Sequence, residues 1–291
     1  MKFVIGCLLI LLTFTGCEKD INFDLDEVEP VLVVDAQIEN EQAPVVILTK
    51  SFSYFDNLNP DLLANSFVRN AEVYISNGIL THRLKEYPAE LVPGINGWYY
   101  SIDSSNLATA FTGALGGDYT LRIVTEGAEY TSATQIPTAS NFPDSVWFKR
   151  APQNPDTLKR VMYVTATDPP GRGNYYRYFT KIGNGPFYPG QNVFNDQVLE
   201  GSTYTIIFPP GINRNRPVRT EENFFLKGEK VTLKFSGINA ATYNFWNTWE
   251  FAYQSIGNPF AQPNKVLGNI SNGGLGAFCG YAAGYQTYIV P

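Results

Sequence analysis

Residues 31–38 read VLVVDAQI, and residues 43–49 read APVVILT. Both runs are rich in β-branched residues and have the length of a strand, and only the polar residues 39–42 separate them. Apolar runs joined by a short polar stretch are typical of a β-hairpin. They predict that the folded part of the chain begins with two paired strands.

The same pattern continues through the next ninety or so residues. Residues 71–76 and 81–85 flank Asn77-Gly78, which is the strongest short hairpin signal in the sequence. Residues 97–102 form another strand-like run, and residues 118–125 and 129–135 meet at Gly127. Short strands at this spacing predict an immunoglobulin-like β-sandwich over residues 31–137, in which Tyr119 has the position of a tyrosine corner.

A second β-rich domain is predicted over residues 144–291. Residues 136–143 read IPTASNFP and show no periodicity, so we place an inter-domain linker at 138–143. Strand patterns resume beyond it, and the stretch between the third and fourth of them is rich in Pro, Gly and Asn and reads as loops. These four predicted strands are residues 144–150, 160–167, 175–182 and 229–236.

Residues 239–256 depart from the β pattern. Tyr243, Trp246, Trp249 and Tyr253 recur at spacings of three and four, which is typical of one face of an α-helix. Asn239 can cap this helix, and a glycine followed by a proline ends it. An aromatic stripe at this spacing is more often core than a ligand platform, so we expect it to pack on the second sheet. The predicted fold class is therefore mainly β, with one late α-helix.

The N-terminus reads MKFVIGCLLILLTFTGC and predicts a lipoprotein signal peptide over residues 1–17. Lys2 supplies the positive charge, and the apolar run 4–14 is too short to span a bilayer permanently. Thr15 and Gly16 are small residues in front of Cys17, and no A-x-A-like cleavage site follows the apolar run. We therefore expect Cys17 to become the acylated first residue of the mature chain, which is then anchored to a membrane without spanning it.

Residues 18–30 are predicted to form an acidic tether. Six carboxylates face one lysine there, and such a segment buries too little apolar surface to order itself. Glu18, Lys19 and Asp20 directly follow the lipidated cysteine. A lysine flanked by acids at this position resembles the export tags of Bacteroidota surface lipoproteins, which predicts cell-surface display. The alternative interpretation is that residues 18–30 are only a solvated spacer.

Composition argues against several classes of function. The chain has 21 basic and 27 acidic residues and a formal charge of −6, which disfavours generic binding to nucleic acid. Its three cysteines are Cys7, Cys17 and Cys279, so no intramolecular disulfide is expected once the signal is removed and Cys17 is acylated. With one histidine besides, a structural zinc site is not expected, and no cofactor is predicted.

No catalytic motif stands out. A serine or cysteine nucleophile needs a histidine base, and the sequence places the single histidine, His82, on an exposed strand beside the Asn77-Gly78 turn. The glycine-rich run 273–284 fits neither a dinucleotide fingerprint nor a P-loop, and it predicts close backbone approach in a closing strand. A pair of carboxylates suited to glycoside hydrolysis depends on the fold and stays open.

Aromatic residues near the third strand of the second domain are candidates for binding a ligand or partner. They are Tyr175, Tyr176, Tyr178, Phe187 and Tyr188. Aromatic rings are enriched at interfaces, but strand alternation also predicts that some of them fill the core. Both readings stay open on the sequence.

Several further motifs, taken together, resemble one known family. The chain carries V-V-x-A-x-I at 33–38, FPDSV at 142–146, Y-x-F-W at 243–246, NPF at 258–260 and N-I-x-N-G-x-L-G-x-F at 269–278. These motifs and the lipoprotein signal resemble the DUF4249 family of Bacteroidota outer-membrane lipoproteins. The resemblance covers nearly the whole mature chain and offers no catalytic residues.

The resemblance implies an outer-membrane lipoprotein associated with a TonB-dependent, SusC-like transporter. We therefore expect a non-enzymatic accessory partner of such a β-barrel that acts in ligand capture or uptake. Two alternatives stay open: a structural accessory of an outer-membrane assembly complex, and a surface glycoside hydrolase or peptidase.

Overall fold

The computed structural model describes residues 29–53, 56, 59–92, 94–139, 141–171, 173–196, 201–214, 216, 220–258, 260, 262 and 264–291. Cys17, the predicted export tag and most of the predicted tether lie outside these residues. None of the helices in the described ranges has the length and apolar character needed to cross a membrane. The fold is mainly β with one late α-helix, as the sequence predicts.

The described residues of the first half form seven strands and a short helix. The strands are β1 (Leu32–Glu39), β2 (Val45–Lys50), β3 (Glu72–Ser76), β4 (Thr81–Val92), β5 (Ile95–Ile102), β6 (Asp118–Thr125) and β7 (Ala128–Gln135), and helix α1 is Pro60–Asn65. The hairpins β1–β2, β3–β4 and β6–β7 are antiparallel, which confirms the three hairpin predictions.

The described residues of the second half add eight strands, a longer helix and one turn of 3₁₀-helix. The strands are β8 (Ser145–Arg150), β9 (Lys159–Thr167), β10 (Tyr175–Ile182), β11 (Tyr188–Asn195), β12 (Thr203–Phe208), β13 (Phe225–Leu226), β14 (Lys230–Ile238) and β15 (Leu275–Ile289). Helix α2 is Ala240–Gln254, and the 3₁₀ turn is Thr220–Asn223.

Strand β4 closes the first sandwich because it changes partners along its length. Residues 81–83 pair with β3, and residues from Leu84 onwards pair with β5. The sheet β15-β1-β2-β5-β4 therefore folds over and continues as β4-β3-β6-β7. Alternate residues of both layers meet in one core, for example Val34, Leu48, Val73 and Leu121. At its edge the hydroxyl of Tyr119 accepts a hydrogen bond from the backbone N–H of Ala114, 2.7 Å away, as in a tyrosine corner.

The last strand belongs to both halves of the chain. Strand β15 pairs in parallel with β1 and antiparallel with β14, so an eleven-stranded sheet runs through the described residues. Phe278 lies in the first core, whereas its neighbour Cys279 faces α2. Two glycines permit this close packing: a Cβ on Gly276 would overlap the carbonyl of Val34, and one on Gly280 the carbonyl of Gln135. The predicted close approach in a closing strand is confirmed.

A second core lies between two layers of the second half. Strand β9 pairs with β8 on one side and with β12 and β13 on the other, and this small sheet packs on β10 and β14. Stacked rings such as Tyr178 and Phe208 fill the space between the layers. Strands β11, β12 and β13 lie where the sequence predicted loops. That prediction was wrong because Pro189 and Gly190 interrupt the alternation of β11, whose register also shifts opposite β10.

Helix α2 covers the outer face of β10, β11 and β15. Asn239 caps it, since its side-chain oxygen accepts from the Thr242 N–H at 2.8 Å. Trp246 donates from Nε1 to the Tyr281 hydroxyl at 2.8 Å and packs with Tyr175, Tyr243 and Trp249 in one cluster. The prediction that the aromatic stripe packs on the core is confirmed for Tyr243, Trp246 and Trp249, which are partly buried against this cluster. Tyr253 is half-buried and stacks on Trp249.

Candidate functional site

The structure divides the five candidate aromatic residues into two groups. Tyr176 and Tyr178 are only 4% and 1% exposed and belong to the second core. Tyr178 stacks on Phe208 with ring centres 3.9 Å apart and donates its hydroxyl to the carbonyl of Pro209 at 3.1 Å. Burial raises the pKa of Tyr176 to about 12. These two rings serve packing and present no face to a ligand in this conformation.

Tyr175, Phe187 and Tyr188 are half-buried. Tyr175 packs against Tyr243 of α2 with ring centres 4.8 Å apart, which ties it to the helix. The Tyr188 hydroxyl accepts from the Asn213 side chain at 3.1 Å. Phe187 meets Tyr285 edge to face at 5.7 Å. Each of these three half-buried rings therefore already has a packing or hydrogen-bond partner.

Beneath Tyr285 lies a buried ion pair that the sequence did not suggest. The Lys234 ammonium and the Tyr285 hydroxyl both donate to the carboxylate of Glu39, which lies on β1. Burial lowers the pKa of Lys234, and the Glu39 carboxylate opposes that shift. Its ammonium also lies 4.8 Å from the centre of the Phe179 ring. This pair joins the two halves of the chain across β14 and β15.

A second buried cation holds helix α2. Arg177 is 2% exposed, and its guanidinium carbon lies 3.4 Å from the centre of a Trp246 ring. Burial lowers the pKa of Arg177, while Tyr281 opposes the shift. At the other end of the helix Arg214 donates to the carboxylate of Glu250. Cation–π and ionic contacts of this kind fix the helix on the sheet and give no open cavity.

Two recesses lie on the first sandwich and form what we call the N-terminal groove. One has a volume of about 480 Å³ and is lined by residues that include Lys50, Asn65, Arg69, Asn70 and Glu126. The other has a volume of about 430 Å³ and is lined by residues that include Asn70, Arg83, Lys85, Glu86, Asp103 and Asn106. The two recesses share Asn70 in their lining, so they adjoin at that residue.

Tyr100 and Glu86 build the floor of the groove. The Tyr100 hydroxyl is 2.9 Å from the Val68 carbonyl and 3.0 Å from Glu86, and it accepts from the Ala71 N–H at 3.1 Å. Burial raises the pKa of Tyr100 to about 12. Burial also acts to raise the pKa of Glu86, but hydrogen bonds from Arg69, the Asn70 N–H and Tyr100 outweigh it and leave that pKa lowered.

Comparison with known families matches residues 18–287 to a family described as a domain of unknown function, DUF4249. The chain belongs to the DUF4249 family. The match begins at the residue that follows Cys17 and extends almost to the end of β15. No curated protein matches the chain.

In this DUF4249 member His82 is buried, with only 1% of its surface accessible. The prediction that His82 lies on an exposed strand was therefore wrong. Strand β3 pairs Ile75 with His82, and both side chains point into the sandwich. Its Nε2 accepts from the Asp103 N–H at 3.1 Å, so the neutral ring carries its proton on Nδ1 and donates to Thr109 Oγ1 at 2.9 Å. Burial lowers the pKa of His82, while Asp103 opposes the shift.

His82 thereby fixes the loop that forms one wall of the groove. Asp103 accepts from both the N–H and the hydroxyl of Ser105, and these bonds lower its pKa. The Tyr87 hydroxyl accepts from the Ser104 N–H at 3.3 Å. The loop is therefore held from three sides.

The residues that line the groove come from separate parts of the chain, so no local sequence motif indicated the site. Lys50 ends β2, Arg69 and Asn70 precede β3, Lys85 lies on β4, and Glu126 lies in the β6–β7 turn. Within the described residues, no group of three or more His, Cys, Asp or Glu side chains is arranged to hold a metal ion. The arrangement offers hydrogen bonds of both polarities to a bound molecule.

Proposed function

We propose that this DUF4249 protein is a lipid-anchored, non-enzymatic protein of the outer membrane, displayed at the cell surface, that assists a TonB-dependent transporter in capturing its ligand. The observation that carries the proposal is the signal ending at Cys17. The apolar run 4–14 and the small residues before Cys17 fit acylation at that cysteine. The family match covers residues 18–287, so the predicted signal and Cys17 lie outside the matched part.

The transporter partnership rests on the family resemblance. The tether gives it room, since the eleven residues between Cys17 and Glu29, the first described residue, reach at most about 40 Å when fully extended. A body on such a tether can lie against a neighbouring barrel in the same membrane. The open N-terminal groove, described above, gives such a partner a place to hold a ligand.

Replacing Cys17 by Ala tests the anchor. The acylation site is lost, so we expect the precursor to stay unprocessed or to leave the outer-membrane fraction. The sandwich should still fold, because no disulfide depends on that sulfur. Fractionation and mass spectrometry of the N-terminus measure both effects. Cys279→Ala is the matched control, since Cys279 is a buried packing residue and its loss should not change the location. Unaltered lipid attachment in Cys17→Ala would refute the anchor.

Changing Lys19 and Asp20 together to Ala asks separately about surface export. If Glu18, Lys19 and Asp20 form the tag, the variant stays lipidated but resists protease added to intact cells. Asp24→Ala with Asp26→Ala is the control, because it removes tether charge outside the tag. Equal protease cleavage of the Lys19/Asp20 variant and the native chain would reject the tag and leave the anchor intact.

Purification of the protein from detergent-solubilised outer membranes tests the partnership. We expect a TonB-dependent barrel to be recovered with it in near-stoichiometric amount. Recovery of the protein alone would contradict the proposal. Deletion of the gene should reduce uptake of one nutrient; a general loss of outer-membrane proteins would instead indicate a role in assembly.

A further inference from the structure

We propose that the N-terminal groove is a binding site for a neutral oligosaccharide. The groove lies on the first sandwich, away from helix α2 and from the aromatic residues that the sequence suggested. Its two recesses, of about 480 and 430 Å³, each fall in the range of small-molecule sites. Because they share Asn70, an elongated ligand can occupy both.

The charges of the groove favour a ligand without net charge. Lys50 pairs with Glu126 at 2.6 Å, and Lys85 pairs with Asp103 at 3.6 Å. Arg69 pairs with Glu86 at 3.0 Å, and Arg83 with Glu72 at 3.5 Å. Each basic side chain thus has an acidic partner, and an anionic ligand would have to displace these acids. A neutral ligand needs no such exchange.

Three side-chain amides along the groove are free to bind a ligand. Asn65, Asn70 and Asn106 are exposed, and their side chains make no hydrogen bond within the described part of the chain. An amide both donates and accepts, as does a sugar hydroxyl, so neighbouring hydroxyls can satisfy one amide from both ends. The planar carboxylate of Asp103 and the guanidinium of Arg69 add further fixed acceptors and donors.

The groove is also rigid before any ligand arrives. The Tyr100–Glu86–Arg69 network fixes its floor, and His82 and Ser105 hold Asp103 in its wall. The guanidinium of Arg69 lies 3.2 Å from the centre of the Trp98 ring, which limits its movement. Preorganised polar groups lose less conformational entropy on binding. An extended peptide is a poorer fit, because β3 beside the groove is already paired with β4 and β6 and offers no strand edge.

This inference names the ligand class for the capture role proposed above and rests on that proposal only for its biological setting. Binding by the isolated full chain and recovery of a barrel are independent measurements. A chain that binds sugar but recovers no barrel keeps the groove and loses the transporter. A chain that recovers a barrel but binds no sugar supports the transporter partnership and contradicts the groove proposal.

Isothermal titration of the detergent-solubilised full chain tests the site. The probes are maltohexaose, cellohexaose, xylohexaose, mannohexaose and chitohexaose, with hexagalacturonate as the acidic counterpart. We expect at least one neutral hexasaccharide to bind with little dependence on salt, and hexagalacturonate to bind more weakly than it. Asn70→Ala and Asn106→Ala should each weaken that binding by about 3- to 10-fold, the loss expected for one or two hydrogen bonds.

Asn96→Ala is the matched control, since Asn96 is an exposed residue of the same sandwich outside the groove. It should bind as the native chain does. Thermal melting must show that the groove variants remain folded. The exposed position of Asn106 favours this, whereas Asn70 has a left-handed backbone with φ of 57°, so Asn70→Ala should lower the melting temperature slightly. Failure of all five neutral probes at millimolar concentration would overturn the proposal. So would binding that Asn70→Ala and Asn106→Ala leave unchanged, or salt-sensitive preference for hexagalacturonate.

Discussion

At the scale of single residues, His82 shows how one buried side chain organises an exposed loop. It lies on β4, two residues from Leu84, and both are buried because alternate residues of a strand share a face. A neutral imidazole has one donor and one acceptor, and His82 uses both on the segment 103–109. Protonation would remove the acceptor that holds the Asp103 N–H.

His82 should make the stability of the protein sensitive to mild acid. Its pKa in the folded state is lowered below the unfolded value of about 6.5, so the unfolded chain binds the proton more readily. The contribution of His82 to the free energy of unfolding is fully present above the unfolded pKa of about 6.5. It is lost as the pH falls from about 6.5 towards the folded pKa. We expect this His82 contribution to the free energy of unfolding to fall between pH 7 and pH 5, as measured by urea titration against a variant that does not titrate at this position.

The variant His82→Gln isolates this effect. Glutamine offers a donor and an acceptor but does not titrate, so the variant should lose about 1 to 2 kcal/mol at pH 7 and be less sensitive to pH between 7 and 5. Asp103 and the other carboxylates titrate in both proteins and cancel in the comparison. An identical pH dependence in the two proteins would rule out His82 as the sensor.

At the scale of elements, β15 is the strand on which packing is tightest. Its residues alternate between the first core and the face under α2, so neither face is free to relax. Gly280 lies against the backbone of Gln135, where β7 ends. A side chain there has no solvent-facing direction in which to turn.

Gly280→Ala should therefore be strongly destabilising. The added Cβ would overlap the carbonyl oxygen of Gln135, and backbone atoms cannot rotate away as a side chain can. We expect a loss of about 2 to 4 kcal/mol, measured by chemical denaturation of the purified protein. A melting temperature equal to that of the native chain would show that β7 moves freely away from β15.

At the scale of the whole molecule, the last strand of the chain completes the core that the first strands form. Strand β15 supplies Phe278 and Ala282 to the core that β1, β2 and β6 form. The Glu39–Lys234 pair adds a second link between distant parts of the chain. Contacts of such long range couple the first sandwich to the last strand.

A fragment of residues 18–137 tests how far the first sandwich is autonomous. Without β15 the outer edge of β1 is unpaired, and the core lacks Phe278. We expect the fragment to show no cooperative unfolding, whereas the full chain should unfold in a single transition. Circular dichroism during heating measures both. Cooperative melting of the fragment would support the predicted boundary at 138–143 as a division between independent domains.

Part of the candidate sites could be anticipated from the sequence. The aromatic stripe of α2 was recognisable because Tyr243, Trp246 and Trp249 repeat at helical spacing. Tyr176 and Tyr178 could not be assigned to core or surface, because β10 is covered on both faces and its alternation does not tell an inner from an outer face. The ion pair of Glu39 with Lys234 could not be predicted, because the two residues are 195 positions apart in the sequence.

The sequence by itself determined the features that depend on near neighbours. The hairpins follow from alternation and turn residues, helix α2 from its period and cap, and the expected anchor from residues 1–17. The tertiary structure decided the pairing of β15 with β1, the burial of His82 and the assembly of the N-terminal groove. The physical reason is that local geometry is set by the backbone preferences of a few adjacent residues. The burial of a residue, and the assembly of a site from distant residues, depend instead on which strands pair in the folded chain. The identity of a single residue does not specify its distant partners.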